Sequence, residues 1–227
     1  MPKTQTSDIM THYQMIVSNP IVFLHGYTRD HTIWNNQMAY FKNKHPLLAY
    51  DLRGHGKSTT VCLNGNHPPR TVNALADDLK HLLGRLGMVD PYIVGHSLGG
   101  MVAQAYAAKY DVKGLALVST LAPSPDYNNH KAVVHRVLKQ YFSQMQPWQL
   151  NHMVEVIASF DTNITDVVAP TLVVVGEDDS KLFKDNAKDL EELLDGTLVK
   201  MKGTGHNPQI ERPDTFNTLL ERFIDNI

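Results

Sequence analysis

The stretch "GHSLGG", residues 95–100, sets Ser97 between Gly95 and Gly99, with Gly100 next. A serine hydroxyl becomes a nucleophile once a base takes its proton, and flanking glycines let the backbone turn sharply enough to expose it. The pattern G-x-S-x-G alone arises by accident about once in 13 chains of this length. Its setting adds weight. Tyr92 to Val94 read as a short buried strand, while Met101, Ala105 and Ala108 fall at helical spacing behind the glycines. Strand, glycine-flanked serine and helix describe a nucleophile elbow. There the serine backbone is strained, and a side chain at 95 or 99 would strike the neighbouring strand or helix.

Such a serine needs a base, an acid that orients the base, and donors for an oxyanion. On a parallel sheet these belong in the loops at the carboxyl ends of strands. After "LVVV" comes "GEDDS", and after "LVKM" comes "KGTGHNP". Ser97, an aspartate at 178 or 179, and His206 therefore all follow expected strands. In the chemistry this implies, His206 takes the Ser97 proton as the hydroxyl attacks a carbonyl carbon, and then returns it to the leaving group. Activity is expected to fall as His206 becomes protonated. The oxyanion donors are the N–H of Leu98, at the start of a helix, and that of Tyr27 in "HGYT", where Gly26 permits a tight turn.

The elements that must hold these loops follow from hydrophobic patterning. Strands are expected at Ile21 to Leu24, Leu47 to Tyr50, Tyr92 to Val94, Leu115 to Val118, Leu172 to Val175 and Leu198 to Met201. Runs this uniformly apolar suit strands buried on both faces. Helices are expected at Thr71 to Leu86, Gly99 to Lys109 and Leu182 to Leu194, and a last one carries Phe216, Leu219, Leu220, Phe223 and Ile224. The alternation implies an α/β fold. From Ala122 to Ala158 it breaks. Two amphipathic helices are read there, one with Val133, Val134, Val137, Leu138 and Tyr141, the other with Leu150, Met153, Val154 and Ile157 behind Pro147. This excursion reads as an inserted lid, with two ordinary packing helices as the alternative.

Composition narrows the class further. The 227 residues suffice for one substantial core, and 21 basic against 23 acidic residues argue against an electrostatic nucleic-acid binder. The single Cys62 excludes an internal disulfide. The first twenty residues hold no apolar stretch long enough for a signal peptide, and no window approaches a membrane span, so the expectation is a cytoplasmic protein without membrane contact. The twelve histidines are scattered, with no H-E-x-x-H and no zinc-ligand spacing, so no metal is expected.

The blocks "IVFLHGY" from 21, "AYDLRGHGKS" from 49, "IVGHSLGGMVAQAYA" from 93, "APTLVVVGEDD" from 169 and "GTGHNPQIERPDTF" from 203 resemble the α/β-hydrolase superfamily, in its esterase, lactonase and haloperoxidase-like branch. They run in family order from about residue 20 to the C-terminus. The resemblance implies the α/β-hydrolase fold, a mostly parallel sheet flanked by helices. It implies Ser97, Asp179 and His206 as catalytic residues, Tyr27 and Leu98 as oxyanion donors, and no cofactor. It chooses Asp179 over Asp178 because the family's acid stands third after the loop glycine, here Gly176. His25, His55 and His96 take shaping roles, while Gly26, Tyr27 and Trp34 are candidates to border the substrate, Trp34 being equally a core residue.

Two departures from the family stand out. Only "MTHYQMI" precedes the first buried strand, so the antiparallel N-terminal edge is expected to be reduced to one strand or almost none. The core then comprises residues 1–121 and 159–227, with a small helical cap at 122–158. A cap this small implies an open site for modest-sized esters. The expected function is a serine carboxylesterase for short to medium acyl chains, working as a monomer or homodimer on a small-molecule ester. Lactone, thioester and carbon–carbon bond hydrolysis share the same residues, and a receptor-like binder with vestigial hydrolysis is the alternative from another class.

Overall fold

Four consecutive residues, Ile21 to Leu24, have no solvent exposure at all. A strand apolar at every position must be covered on both faces, which dictates a central sheet between two helical layers. The computed structural model describes residues 3–6, 9–12, 16–58, 71–124, 131–141 and 147–227. Cys62 lies outside them, as do the side chains of Val133, Val137 and Tyr141.

The main sheet has six strands: β4 (Ile21–Leu24), β5 (Leu47–Tyr50), β7 (Tyr92–His96), β8 (Gly114–Val118), β9 (Thr171–Gly176) and β10 (Thr197–Met201). They lie in the order β10-β9-β8-β7-β4-β5, and every pairing between them is parallel. From β4 the chain moves outward to β5, whereas from β7 it proceeds the other way to β10. The strand order thus reverses between β4 and β7, where Leu24 stands opposite Gly95. A crevice opens outside the carboxyl ends of strands at such a reversal.

Three smaller pieces precede or join this sheet. Strands β1 (Lys3–Thr6) and β2 (Ile9–His12) form a separate antiparallel pair, while β3 (Val17–Ser18) pairs in parallel with β6 (Met88–Val89). The N-terminal reduction is therefore complete within the main sheet, which has no antiparallel strand among the described residues. The β1–β2 ladder was not foreseen, because "KTQT" lacks an apolar signal.

Each face of the sheet buries its own cluster. On one, Val22, Leu24 and Ile93 meet α2 (Val72–Leu86), α3 (Leu98–Ala107) and α6 (Lys181–Leu193). On the other, Ile21, Phe23 and Val94 meet α1 (Asn35–Phe41) and α8 (Pro213–Asp225), the latter through Phe216, Leu220 and Ile224. Helix α2 shows why these segments start and stop where they do. The Thr71 side chain accepts from Ala74 N–H at its start, and Gly87 ends it with φ of 66°. Between β8 and β9 lie α4 (Lys131–Tyr141) and α5 (Pro147–Ala158). Leu138, Leu150, Met153, Val154 and Ile157 of these helices join the first cluster, and Lys131 pairs with Glu155 across them.

Candidate active site

Ser97 directly follows β7 with φ 52° and ψ −115°, and α3 begins at the next residue. The left-handed φ costs a side-chain-bearing residue roughly 1–3 kcal/mol, so the surroundings must hold it. They do so through the backbone. Ser97 N–H donates to Val118 C=O at 2.9 Å, and Ser97 C=O accepts from Thr120 Oγ1 at 2.6 Å and from Gly100 N–H at 3.0 Å. A Cβ at Gly95 would stand 2.4 Å from Gly99 O, and one at Gly99 would stand 2.2 Å from Leu24 O. The two flanking glycines are thus where helix and strand come too close for side chains. Leu98, first in α3, presents its N–H ahead of the intrahelical ladder.

The loops after β9 and β10 supply an acid and a histidine. Asp179 is buried and its neighbour Asp178 is exposed. Asp179 Oδ2 lies 3.1 Å from His206 Nδ1, and its Oδ1 accepts from Ser180 N–H at 2.7 Å. Asp178 instead uses its N–H to bind Thr204 C=O at 2.9 Å. With Asp179 on Nδ1, a proton transfer at His206 would use Nε2.

Besides Asp179, three residues frame His206, and sequence reasoning gave none of these three that role. Glu211 accepts from Gly205 N–H at 2.7 Å and from Asn207 N–H at 3.0 Å, bracketing the histidine on both sides. Phe183 packs its ring 4.2 Å from the imidazole centroid. His96 donates from Nε2 to His206 C=O at 2.8 Å. Asp179 completes the frame. His96 and Glu211 lie within the quoted motifs, but a pairing over the 110 residues from His96 to His206 has no periodicity to reveal it.

Beside Ser97 lies a narrow cavity lined by Tyr27, Leu98, Met101, Leu138, Met153 and Phe183 among others. Among the described lining residues, every side chain besides Ser97 and the Tyr27 phenol is apolar. The Tyr27 hydroxyl meets His152 Nδ1 of α5 at 2.7 Å, joining the loop after β4 to the helices between β8 and β9. Gly26 adjoins the serine, since a Cβ there would stand 3.2 Å from Ser97 Cβ. Trp34 is the correction. It has no exposure and packs its ring 5.1 Å from Phe23 and 6.2 Å from Phe216, in the cluster on the opposite face of the sheet. Its position one turn into the first helical stretch points it under the sheet, away from the cavity.

Two buried histidines are held uncharged. Burial pushes His25 down to about 4, against the opposing pull of its bond to Gly26 C=O. Burial, and then the neighbouring His206, push His96 down to about 3. Asp30, His31 and Asp51 offer the one group of potential metal ligands among the described residues. The Asp51 oxygens are already engaged by His31 N–H, His31 Nδ1 and Lys57 N–H at 2.6–2.9 Å, which suits a loop clamp. No helix among the described residues is long and apolar enough to cross a membrane.

A six-stranded parallel sheet with a strained serine at its strand-order reversal, and an acid–histidine pair in the last two loops, defines a class of enzyme. The chain belongs to the alpha/beta hydrolase family, whose model matches residues 21–219. It is 28% identical over 248 aligned positions to the AB hydrolase superfamily protein YisY of Bacillus subtilis, covering 90% of this chain and 91% of that one. It is 27% identical over 257 positions to the bifunctional esterase/perhydrolase DCH of Acinetobacter calcoaceticus, with the same coverage of each. Among solved structures, the alpha/beta hydrolase MGS-M2 from a deep-sea metagenome library superposes with a TM-score of 0.73 at 24% identity, over 95% of this chain and 92% of that one. Est816, described as an N-acyl homoserine lactone degrading enzyme, gives 0.68 at 26%, over 98% and 100%.

Proposed function

We propose that this hydrolase cleaves carboxylic esters of neutral, aliphatic, short to medium acyl groups through a covalent acyl-serine. One observation carries the reading: Ser97, in its strained turn, opens onto an apolar cavity at the same end of the sheet as the Asp179–His206 pair.

In this reading His206 accepts the Ser97 proton as Oγ bonds to the acyl carbon, and the carbonyl electron pair moves onto oxygen. The N–H groups of Leu98 and Tyr27 hold that oxyanion. Its collapse expels the alcohol, which leaves with the proton from His206. A water then repeats the two steps, releasing the acid and restoring Ser97. Asp179 holds the imidazole tautomer and offsets the charge of the imidazolium. Each electron pair comes from serine, water or substrate, so no cofactor enters the sequence.

The cavity sets the acyl group. A carboxylate placed among Leu98, Met101, Met153 and Phe183 would lose its hydration with no cation among the described lining residues to offset the cost. Helices α4 and α5 form a small cap over this space through Leu138, Met153, Val156 and Ile157. The esterase named among the relatives supports the ester reading, and Est816 makes lactones the natural second substrate class.

A panel of p-nitrophenyl and alkyl esters, varied separately in acyl and alcohol length, tests the proposal together with labelling by a fluorophosphonate. We expect turnover that peaks at short to medium acyl chains, and labelling that vanishes in Ser97→Ala. Folded protein that neither turns over any ester nor labels at Ser97 would overturn the reading in favour of a binding protein.

A further inference from the structure

His96 lies between the two loops that the proposed chemistry must keep in register. It closes β7 next to Ser97 and is 2% exposed. A carbonyl can only accept, so the 2.8 Å contact with His206 C=O requires a hydrogen on His96 Nε2. The second nitrogen, Nδ1, is buried without a hydrogen-bond partner and faces the opposite loop, where a Cβ at Gly26 would stand 2.8 Å from it. One ring therefore touches the histidine loop with its donor edge and the Gly26–Tyr27 loop with its other edge.

We propose that His96 is a positioning residue, which fixes the main chain of His206 relative to Ser97 and the Gly26–Tyr27 loop while staying uncharged. The inference rests on the hydrolase reading given above. Glu211 holds the N–H groups on either side of His206 but leaves its carbonyl to His96. Without that bond the His206–Asn207 peptide loses the tether on its carbonyl and keeps the one from Asn207 N–H to Glu211 of α7 (Pro208–Glu211).

Neutrality is part of the role. The His96 and His206 ring centroids are 5.0 Å apart, and His206 becomes cationic in each turnover. A second cation at that distance in a buried setting would oppose the proton transfer. The charged or titratable groups facing His96 are His206, Arg29 and His25, and their charges disfavour a proton on it, against the opposing pull of its bond to His206 C=O. A neutral ring with one N–H meets the requirement for a donor that never becomes a cation.

The test compares His96→Gln, whose amide N–H can still donate, with His96→Leu, which has similar bulk and no donor. For p-nitrophenyl butyrate, displacement of the base by an ångström lowers kcat about 100-fold in His96→Leu, with KM within about twofold, whereas His96→Gln stays within about fivefold of wild type. The acid limb of the kcat profile moves in His96→Leu and is retained in His96→Gln. Nitrogen-15 NMR of histidine-labelled wild type provides a second readout that needs no variant. It should show His96 as the neutral Nε2–H tautomer from pH 5 to 8. An active wild type with unchanged kcat in His96→Leu, or a glutamine variant as slow as the leucine one, overturns this inference alone. So does an Nδ1–H tautomer of His96. An inert wild type that does not label at Ser97 overturns the hydrolase reading and this one with it.

Discussion

Asp179 and His206 meet at 3.1 Å across 27 residues of sequence, each at the tip of its own strand. In the same loop Asp178 points its side chain outward and contributes only a backbone bond. Replacing the buried carboxylate by an amide leaves its shape but removes its charge and frees the imidazole to take the wrong tautomer. Asp179→Asn should lower kcat by about 10⁴-fold, the scale known for the analogous change in serine proteases. Asp178→Asn should retain kcat within about threefold, since it lies on the surface. Steady-state rates on one p-nitrophenyl ester decide, and the larger loss at 178 would reverse the roles.

The two buried histidines make the protein acid-sensitive. Both have folded values, about 4 for His25 and about 3 for His96, below the 6.5 of an unfolded histidine. As pH falls through 6.5 the unfolded chain binds their protons first. The stability they confer is therefore complete above about pH 6.5 and is lost as pH drops toward 4 and then 3, each at up to about 1.4 kcal/mol per pH unit. Urea midpoints measured between pH 7 and 5 should fall steeply. In His96→Gln the slope should be shallower.

Tyr27→Phe removes the hydroxyl that reaches His152 and leaves the ring in place. A net loss of about 1 kcal/mol is expected from one such bond. Helix α5 also carries Met153, Val156 and Ile157 of the cavity wall, so a loosened helix widens the acyl space. The ratio of kcat/KM for octanoate over butyrate esters should rise about fivefold, the factor that 1 kcal/mol represents. An unchanged ratio with a lowered melting temperature would reduce the bond to a structural tie.

Trp34→Ala tests the placement of that ring in the core beneath the sheet. It should cost about 3–5 kcal/mol of stability. The fraction that remains folded should hydrolyse esters with the acyl preference of the parent. A shifted acyl preference would return Trp34 to the cavity.

All six main strands and helices α2, α3, α6 and α8 were legible because burial on both faces writes continuous apolar runs, and amphipathic helices write a 3.6-residue period, whereas α1 and the four-residue α7 were not read. Within the site, Ser97, His206 and the pair Asp178/Asp179 were found by asking which residues follow strands. What decides between the aspartates is burial, which adjacent residues of the same type do not encode. Trp34 was open to two readings for the same reason: an aromatic on a helix does not announce which side of the sheet it will meet. The links from His96 to His206 and from Tyr27 to His152 join residues 110 and 125 apart in sequence. They leave no local trace. The β1–β2 ladder escaped because its first strand is polar throughout.

The left-handed backbone of Ser97 sets activity against robustness at a single residue. Glycine would occupy the same φ without strain, so the most stable residue at the heart of the site is one that cannot attack anything. Ser97→Gly should melt above the parent while losing ester turnover. Selection for thermal endurance alone would then erode the nucleophile first, and stabilised descendants of this chain must find their gains away from the turn that Gly95 and Gly99 permit.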